Sequence, residues 1–570
     1  MYILGFTISY HDAAACLMHN GELINFIEEE RLTRVKGSPK SFPIKSTLAC
    51  LKRANITLSQ VDYIAVGLNL EKYDYKMQEF YKHLDSKYEK DMITKISEKM
   101  ILEDRDKERV LYRIKQDFMK EGVTDELPPF IFVDHHLSHA ASSFYCSGFE
   151  KSLIITIDGS GEEICTAIWE GNEREIRLID LYNIPNSLGW FYSCITEYLG
   201  FKDNQQEGTV MGLAAYGKDD KYIRQVLEKI LSVDKKGYSI NPYYIFYGQH
   251  SFGKRFTDKL VNELGQPRVR NSIVTDKHKN IAYIAQNILE EAVKMLVTKY
   301  IDMTGLHNIC LAGGVAMNCK LNGEIVKMPQ VDKLFIQPAS YDAGTSLGAA
   351  MVVSDKNGFD PRFKMEHTYW GIEYSNNEIE QELKIAKVRY KYIENPSLIA
   401  AKYLSQGSII GWFQGAMELG ARSLGARSIL ANPSESSMKD KLNNQVKFRE
   451  YWRPFAPSMT NINYNKIFDT KHLSSFMLLA LTVKDEYIDK IPAVVHIDKT
   501  ARPQIVEEKY NKKYWELLNN FFELTSIPCV LNTSFNIKGE PIVCTVHDAL
   551  RCFYSTGLDA LFIGDFLLEK

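Results

Sequence analysis

No stretch of this 570-residue chain approaches the roughly 18–20 uninterrupted apolar residues that a membrane-spanning helix needs, so no membrane span is expected. Charge of one sign is not in excess either. The 69 basic and 72 acidic residues leave a formal net charge of −3, and nothing global points to nucleic acid or another polyanion. The ten cysteines include no Cys-x-x-Cys pair and are scattered, often among apolar neighbours, as at Cys16, Cys310 and Cys552. They read as reduced thiols of a cytoplasmic protein, and none has a neighbour that would activate it as a nucleophile. A secretory layout is missing: no basic leader precedes the first apolar run, and His11 and Asp12 interrupt it. Walker and dinucleotide-fingerprint glycine motifs are missing too. What is there, 45% apolar and 25% charged residues, is the balance of a globular protein. The length calls for at least two domains.

The first 30 residues read as Tyr2–Ser9 strand, a polar break at Tyr10-His11-Asp12, strand Ala13–Leu17, a His19-Asn20-Gly21 hairpin turn and strand Glu22–Glu28. The layout recurs as strand Ser152–Ile157, polar turn Asp158–Glu162, strand Cys165–Trp169, turn Glu170-Gly171-Asn172 and strand Glu175–Tyr182. Two copies suggest an internal duplication. Residues 72–125 are charge-rich with helical spacing, as in Glu98-Lys99-Met100-Ile101-Leu102-Glu103, and read as an exposed helical excursion. A long amphipathic helix over Asn280–Thr304 leads into strand Asn308–Leu311. Residues near 355–395 look like a junction, with Gly358, Pro361 and Asn376-Asn377, and a new apolar pattern begins near Leu398. The domains are therefore placed at 1–365 and 366–570.

Three constellations carry chemistry. In Asp134-His135-His136-Leu137-Ser138-His139, His135 and His139 are i, i+4 and share one face of a helix. Asp342, on a glycine-containing loop before a small-residue helix, supplies a third donor. Two imidazoles and a carboxylate with open positions suit iron(II) or zinc; the alternative is histidines that cap a helix or line a core. Second, small residues follow strands at Asp158–Glu162, Gly208–Gly217 and Ala312–Asn318, where backbone N–H groups can approach phosphates. Each alone is an ordinary turn; together they favour ATP, with Asp158 and the Gly313, Gly314 and Asn318 loop as contacts. Third, Gly420–Arg427 and Lys447–Pro457 crowd arginines among aromatics and prolines, with five basic and two acidic residues between 439 and 453. With Arg502 and the Leu531–Asn536 loop they suit a compact phosphorylated acyl group, or else form structural ion pairs.

At these residues the chain resembles the O-carbamoyltransferases of the nodulation-factor and antibiotic-tailoring family, most of all their aminoglycoside-type members. The markers run in order: His11-Asp12-Ala13, His135-His136-x-x-His139-Ala140, Asp158-Gly159-x-Gly161-Glu162, Met211-Gly212-Leu213-Ala214-Ala215, Asp342-x-Gly344-x-Ser346, Trp452-Arg453-Pro454-Phe455-Ala456-Pro457 and Leu531-Asn532-Thr533-Ser534-Phe535-Asn536. The resemblance implies an α/β protein. Its N-terminal domain would be a duplicated actin/sugar-kinase type, as in tRNA threonylcarbamoyl-transfer proteins, and its C-terminal α/β domain would be YrdC-like. It implies iron(II) on His135, His139 and Asp342, and Asp158 at the nucleotide. Carbamoyl phosphate and ATP would lie on Arg422, Lys447, Arg453, Arg502, Asn532 and Ser534, with Mg2+ accompanying ATP. His11 would stand where the acceptor hydroxyl is attacked, as general base, because an unperturbed imidazole titrates near neutral pH; the alternative is a turn histidine. The chain departs from the family pattern at Ala416, Ala421, Ser423 and Thr209.

The implied chemistry uses carbamoyl phosphate and ATP to make carbamoyl-adenylate, whose carbamoyl group passes to a small-molecule hydroxyl. Neither nucleic acid nor membrane is an expected partner. Competing readings are a tRNA threonylcarbamoyl-type transferase, a sugar kinase and a nucleotide-binding regulator.

Overall fold

The computed structural model describes residues 1–9, 11–72, 105–245 and 255–570. Two compact units divide them: Met1–Glu29 with Gly37–Met365, and Glu30–Lys36 with Glu366–Lys570. No single cut produces this division, because a seven-residue piece of the N-terminal sequence folds with the second unit.

The first unit contains two five-stranded mixed sheets with one topology. In the first, the order is Glu22–Glu28, Ala14–His19, Tyr2–Phe6, Tyr63–Val66, Phe130–Phe132. The first three strands form an antiparallel meander and the last two join in parallel. The second sheet repeats this as Glu175–Asn183, Ile164–Asn172, Lys151–Gly161, Asn308–Ala312, Lys333–Ile336, again antiparallel, antiparallel, parallel, parallel. The duplication seen in the hairpins thus extends to whole sheets, the arrangement expected of an actin/sugar-kinase type region. Leu153, Ile154 and Ile155 are all fully buried, as a central strand covered on both faces requires.

The turns obey local chemistry. Asn20 and Gly21 both have positive φ, at 49° and 89°, which suits a two-residue hairpin turn. The second hairpin turns later than its sequence suggests, at Glu173-Arg174. Glu170, Gly171 and Asn172 lie within the strand, and Glu173 takes the positive φ of 54°. Gly171 instead admits the Phe144 ring, which a Cβ would meet at 2.6 Å.

Two helices place the site. His135–Ser147 begins at Asp134 and ends on Gly148 in the left-handed region. Ala343–Lys356 begins at Asp342 and packs on both that helix and strand Tyr2–Phe6. Small residues make this contact close: a Cβ on Gly348 would stand 1.7 Å from the Ser138 carbonyl oxygen, and one on Gly5 2.1 Å from that of Ser346.

One sequence expectation changes, and two take a definite form. Gly208–Gly217 is not a loop after a strand; helix Glu207–Ala214 occupies most of it, buries Val210, Met211 and Leu213, and packs on the 29-residue helix Asp276–Thr304. The junction holds the division at Met365/Glu366 and also contains helix Asn376–Ile385, opened by a capping box of Ser375 and Glu378. Of the charged excursion, Lys107–Lys120 is a helix capped by Asp106; Glu98–Glu103 lie outside the described residues.

The second unit is built on an eight-stranded mixed sheet. Its order is Lys391–Tyr392, Phe566–Glu569, Ala560–Ile563, Ile410–Phe413, Arg427–Ala431, Val530–Ser534, Ala456–Thr460, Gln504–Val506. Trp412, Tyr514, Phe521 and Phe562 fill its core with helix Pro396–Ser405. Among the described residues no helix is long and apolar enough to cross a membrane.

Because backbone faces Gly348, its neighbour cannot yield as a side chain would. Gly348→Ala is expected to destabilise the protein by about 1–3 kcal/mol; an unchanged melting temperature would refute this packing.

Candidate functional site

Four donor groups meet in the first unit. His135, His139, Asp158 and Asp342 each offer one ligand atom, and these atoms all lie within 4.8 Å of one another. The helix carries the histidines one turn apart, and their Nε2 atoms approach to 3.1 Å. Asp342, at the N-terminal end of its helix, makes no side-chain cap bond. Its Oδ1 lies 3.7 Å from His135 Nε2 and 3.9 Å from His139 Nε2. Asp158 Oδ2 lies 3.2 Å from His135 Nε2 and 3.7 Å from His139 Nε2.

The hydrogen bond of His135 fits a metal, while the buried His139 Nδ1 has no partner among the described residues. His135 Nδ1 lies 3.0 Å from the Gly67 carbonyl, which fixes the proton there and turns the Nε2 lone pair inward. Two converging imidazole nitrogens and two carboxylates, all buried, are satisfied together by a cation. The set suits iron(II) or zinc. Without one, protons must balance the charge. Burial opposes charge on His135, but Asp158 and Asp342 outweigh it and hold the imidazolium up to about 9. Burial pushes Asp158 up, yet its bonds to His135 and His139 pull it well below the usual carboxylate range. Asp342 is raised, by burial and then by the charge on Asp158. His136 is no ligand: it bonds Thr156 Oγ1 at 2.8 Å and the Ile164 carbonyl at 3.0 Å, and burial followed by its two neighbouring histidines drives its pKa well down.

Asp158 was expected at the nucleotide; its place is in the cluster and at the glycine loop at once, since Oδ1 accepts from Gly314 N at 3.0 Å. Gly313 has φ 90° and donates to the Ser340 carbonyl at 2.7 Å. Asn318 is engaged within the fold. Its Oδ1 caps helix Cys319–Ile325 through Leu321 N, and its amide pairs with Gln286, so the packing takes up the side chain.

His11 bonds Asp12 through Nδ1 at 2.8 Å, which leaves Nε2 for another partner. Its ring is not an unperturbed imidazole. Burial lowers its pKa, but Asp12, then Asp342 and Asp158, raise it to about 10. With no ion on Asp342 and Asp158, those carboxylates and Asp12 favour the protonated ring. Asp12 itself sits at φ 60° and donates its N–H to the Gly37 carbonyl at 2.6 Å.

The second unit collects positive charge. Burial, then Arg453 and Arg502, drive the pKa of Arg449 far down; burial, then Arg449, does the same to Lys447. Burial and Arg502 also lower Arg453, against the opposing pull of Glu450. Partial desolvation lowers Lys36, an exposed residue, against the pull of Glu30 and with Arg453, Arg31 and Arg422 adding to it. Like charges depressing one another call for an anion. The buried Nε of Arg502 has no hydrogen-bond partner among the described residues. Arg449 stacks on Phe455, 4.4 Å from the ring centroid, and donates to Asn443 Oδ1 at 3.0 Å.

Other polar groups of this unit are already engaged. Lys447 donates to the Ser534 carbonyl and hydroxyl and to the carbonyl and Oδ1 of Asn536, at 2.6–3.2 Å. It therefore ties down the Ser534 loop rather than presenting a free ammonium. Asn532 Nδ2 faces the Ser423 carbonyl, Ser458 Oγ and Gln504 Oε1. Arg427, five residues from Arg422, is wholly buried and bound to the carbonyls of Gln414, Gly415, Ala426 and Ile372. Thr209 is buried in its helix, and Ser423 is buried in the loop that follows Arg422.

Sequence reasoning missed Lys36 and Arg449 as members of the cationic group. Arg449 was visible in the Lys447–Pro457 motif; Lys36 lies more than 380 positions from Arg422 and carried no signal.

Residues 2–351 match the carbamoyltransferase N-terminus family and residues 401–570 the carbamoyltransferase C-terminus family. The chain is 36% identical over 570 residues to nodulation protein NolNO of Sinorhizobium fredii, covering 98% of this chain and 79% of that protein. It is 35% identical over 611 residues to an uncharacterized protein of Synechocystis sp., covering 100% and 97%. Nodulation protein U of Sinorhizobium fredii is 28% identical over 433 residues, covering 71% and 72%. Among solved structures, full-length HypF in its phosphate- and nucleotide-bound form aligns with a TM-score of 0.32 at 13% identity, covering 64% of this chain and 56% of that one.

One equivalent of iron(II) or zinc is expected to raise the melting temperature, and a chelator to reverse the rise. In His139→Ala the metal-dependent rise should vanish; a variant that keeps full metal occupancy would remove His139 from the ligand set.

Proposed function

The chain belongs to the carbamoyltransferase family and is an enzyme of it, and from that premise we propose that it carries carbamoyl from carbamoyl phosphate to a hydroxyl of a sugar or polyol natural product, through carbamoyl-adenylate. One observation carries this reading: a cationic cluster with the unpartnered Nε of Arg502 in one unit and a buried His2Asp2 cluster in the other, each wanting a ligand of opposite charge.

In this reading the second unit is the YrdC-like adenylating half. Arg422, Arg453 and Arg502, with Arg449 and Lys36, hold the phosphate oxygens of carbamoyl phosphate and ATP. Lys447 holds the Ser534–Asn536 loop against them. Water hydrolyses carbamoyl phosphate to carbamate and inorganic phosphate, and the carbamate oxygen attacks the α-phosphate of ATP with loss of pyrophosphate. The arginines offset negative charge as it builds on the phosphorus oxygens. AMP is the better leaving group, which is the purpose of activation.

Transfer belongs to the first unit. The acceptor hydroxyl attacks the carbonyl carbon, the C–O bond to AMP breaks, and the hydroxyl proton passes to His11 Nε2. Asp12 fixes the ring by its bond to Nδ1. His135, His139, Asp158 and Asp342 would hold the ion, iron(II) in the family, and a divalent ion there supplies charge to bind phosphate oxygens. Gly314, tied to Asp158, belongs to the same nucleotide-facing loop as Gly313. The acceptor class favoured is the aminoglycoside-type polyol.

Incubation with ATP and carbamoyl phosphate should release pyrophosphate and AMP. A polyol panel should yield a product heavier by one carbamoyl group. Arg502→Ala or Arg453→Ala is expected to slow pyrophosphate release by about 100-fold or more; wild-type release would detach these residues from adenylation. ADP formed without carbamoyl phosphate would instead indicate a kinase.

The charge on His11 also sets a sign. Its raised pKa leaves it protonated at pH 7, so base catalysis should strengthen as pH rises from 7 towards about 10. The transfer rate should climb over that window and flatten in His11→Gln; a wild-type rate that falls there would exclude His11 as the base.

A further inference from the structure

The N-terminus of helix His135–Ser147 is not capped by its own N-cap residue. Asp134 makes no cap bond; its Oδ1 instead accepts from Asn69 Nδ2 at 2.6 Å. A different carboxylate has taken the place. Glu162, buried to 5% exposure, accepts from the backbone N–H of His135 at 3.3 Å with each oxygen, and from that of Asn69 at 2.8 Å. A negative group at this helix end is favoured by the unpaired N–H groups and the helix dipole.

The strand delivering Glu162 also delivers Asp158. Pairing in strand Lys151–Gly161 slips between Ile157 and Gly161, and Glu162 follows at φ 44°. The slip lets one short segment reach His135 twice, at the imidazole through Asp158 and at the backbone through Glu162. Between the two, Gly161 lies flat against the ring: a Cβ there would stand 2.2 Å from His135 Cδ2. Asn69, two residues beyond the carbonyl that takes His135 Nδ1, is bound by Glu162 as well. His135 is thus held at its ring, its backbone and its flank by two segments that Glu162 joins.

We propose that Glu162 is the positioning residue of the metal centre: its carboxylate fixes the backbone of His135 and so the direction of that ligand's Nε2, without touching the ion or the substrates. This rests on the reading of the His2Asp2 cluster as a metal site. It assigns a role that packing alone would not require, since a buried carboxylate is costly unless its bonds are used.

The test is cobalt(II) titration of the full-length protein, wild type against Glu162→Ala and Glu162→Gln. The visible spectrum of bound cobalt reports ligand geometry. Glu162→Ala is expected to lose 10–100-fold in affinity and to shift the spectrum, while pyrophosphate release from ATP and carbamoyl phosphate stays within about twofold of wild type. Glu162→Gln keeps one acceptor oxygen and should recover part of the affinity. Unchanged affinity and spectrum in both variants would overturn the proposal, as would loss of pyrophosphate release in step with metal, which would mark general misfolding. A wild type that takes up no cobalt would instead defeat the metal reading itself.

Discussion

Helix Ala343–Lys356 comes so close to helix His135–Ser147 that glycine is the residue that fits at Gly348, against the backbone of Ser138. The same helix lies against Gly5 of the central strand. Everything in the first unit's site depends on this approach. It brings the N-terminal ends of two helices together, one starting with two imidazoles and the other with Asp342. A helix end is where side chains and N–H groups are left unsatisfied, so two ends set face to face make a place for chemistry. Any wider spacing, such as two leucine-faced helices would need, would take Asp342 out of reach of the histidines.

The two units solve opposite electrostatic problems. In the first, carboxylates and imidazoles share a dry volume and must be balanced by protons or by a cation. In the second, burial lowers all three cations, and Arg449 adds to it at Lys447, Arg453 at Arg449 and Arg502 at Arg453, so the balance must come from an anion. Neither arrangement adds stability by itself, because burying like charges is costly. Their retention makes sense as sites whose favourable energy is realised on binding. Arg427 shows the contrast: wholly buried and cationic, it donates to four backbone carbonyls and stacks on Phe413, and so serves the fold.

His11 shows how a local pairing redirects a residue. An isolated imidazole would titrate near neutrality, but Asp12 lies next in the chain and the left-handed φ of that residue turns its carboxylate onto the ring. The pair is fixed to the Gly37 carbonyl through the Asp12 N–H. A proton acceptor so stabilised is a stronger base once it has lost its proton and a weaker one at pH 7.

Local order was legible in the residues. The Asn-Gly turn, the i, i+4 histidines, the repeated hairpin and the small-residue helices each depend on neighbours a few positions apart, and the fold keeps them. The capping box at Ser375–Glu378 was equally local, but lay hidden under the composition of a polar stretch. Only the tertiary structure decided which polar groups are free. Asn318 and Lys447 look like ligand-binding residues in sequence and are occupied by Gln286, Ser534 and Asn536 in the fold. Asp158 joins the histidines, Lys36 joins the arginines, and Glu162 replaces Asp134 as the cap of the helix. The physical reason is that hydrogen bonds and charges are satisfied by whatever the packing brings within about 3 Å, and that distance has no counterpart in positions along a chain.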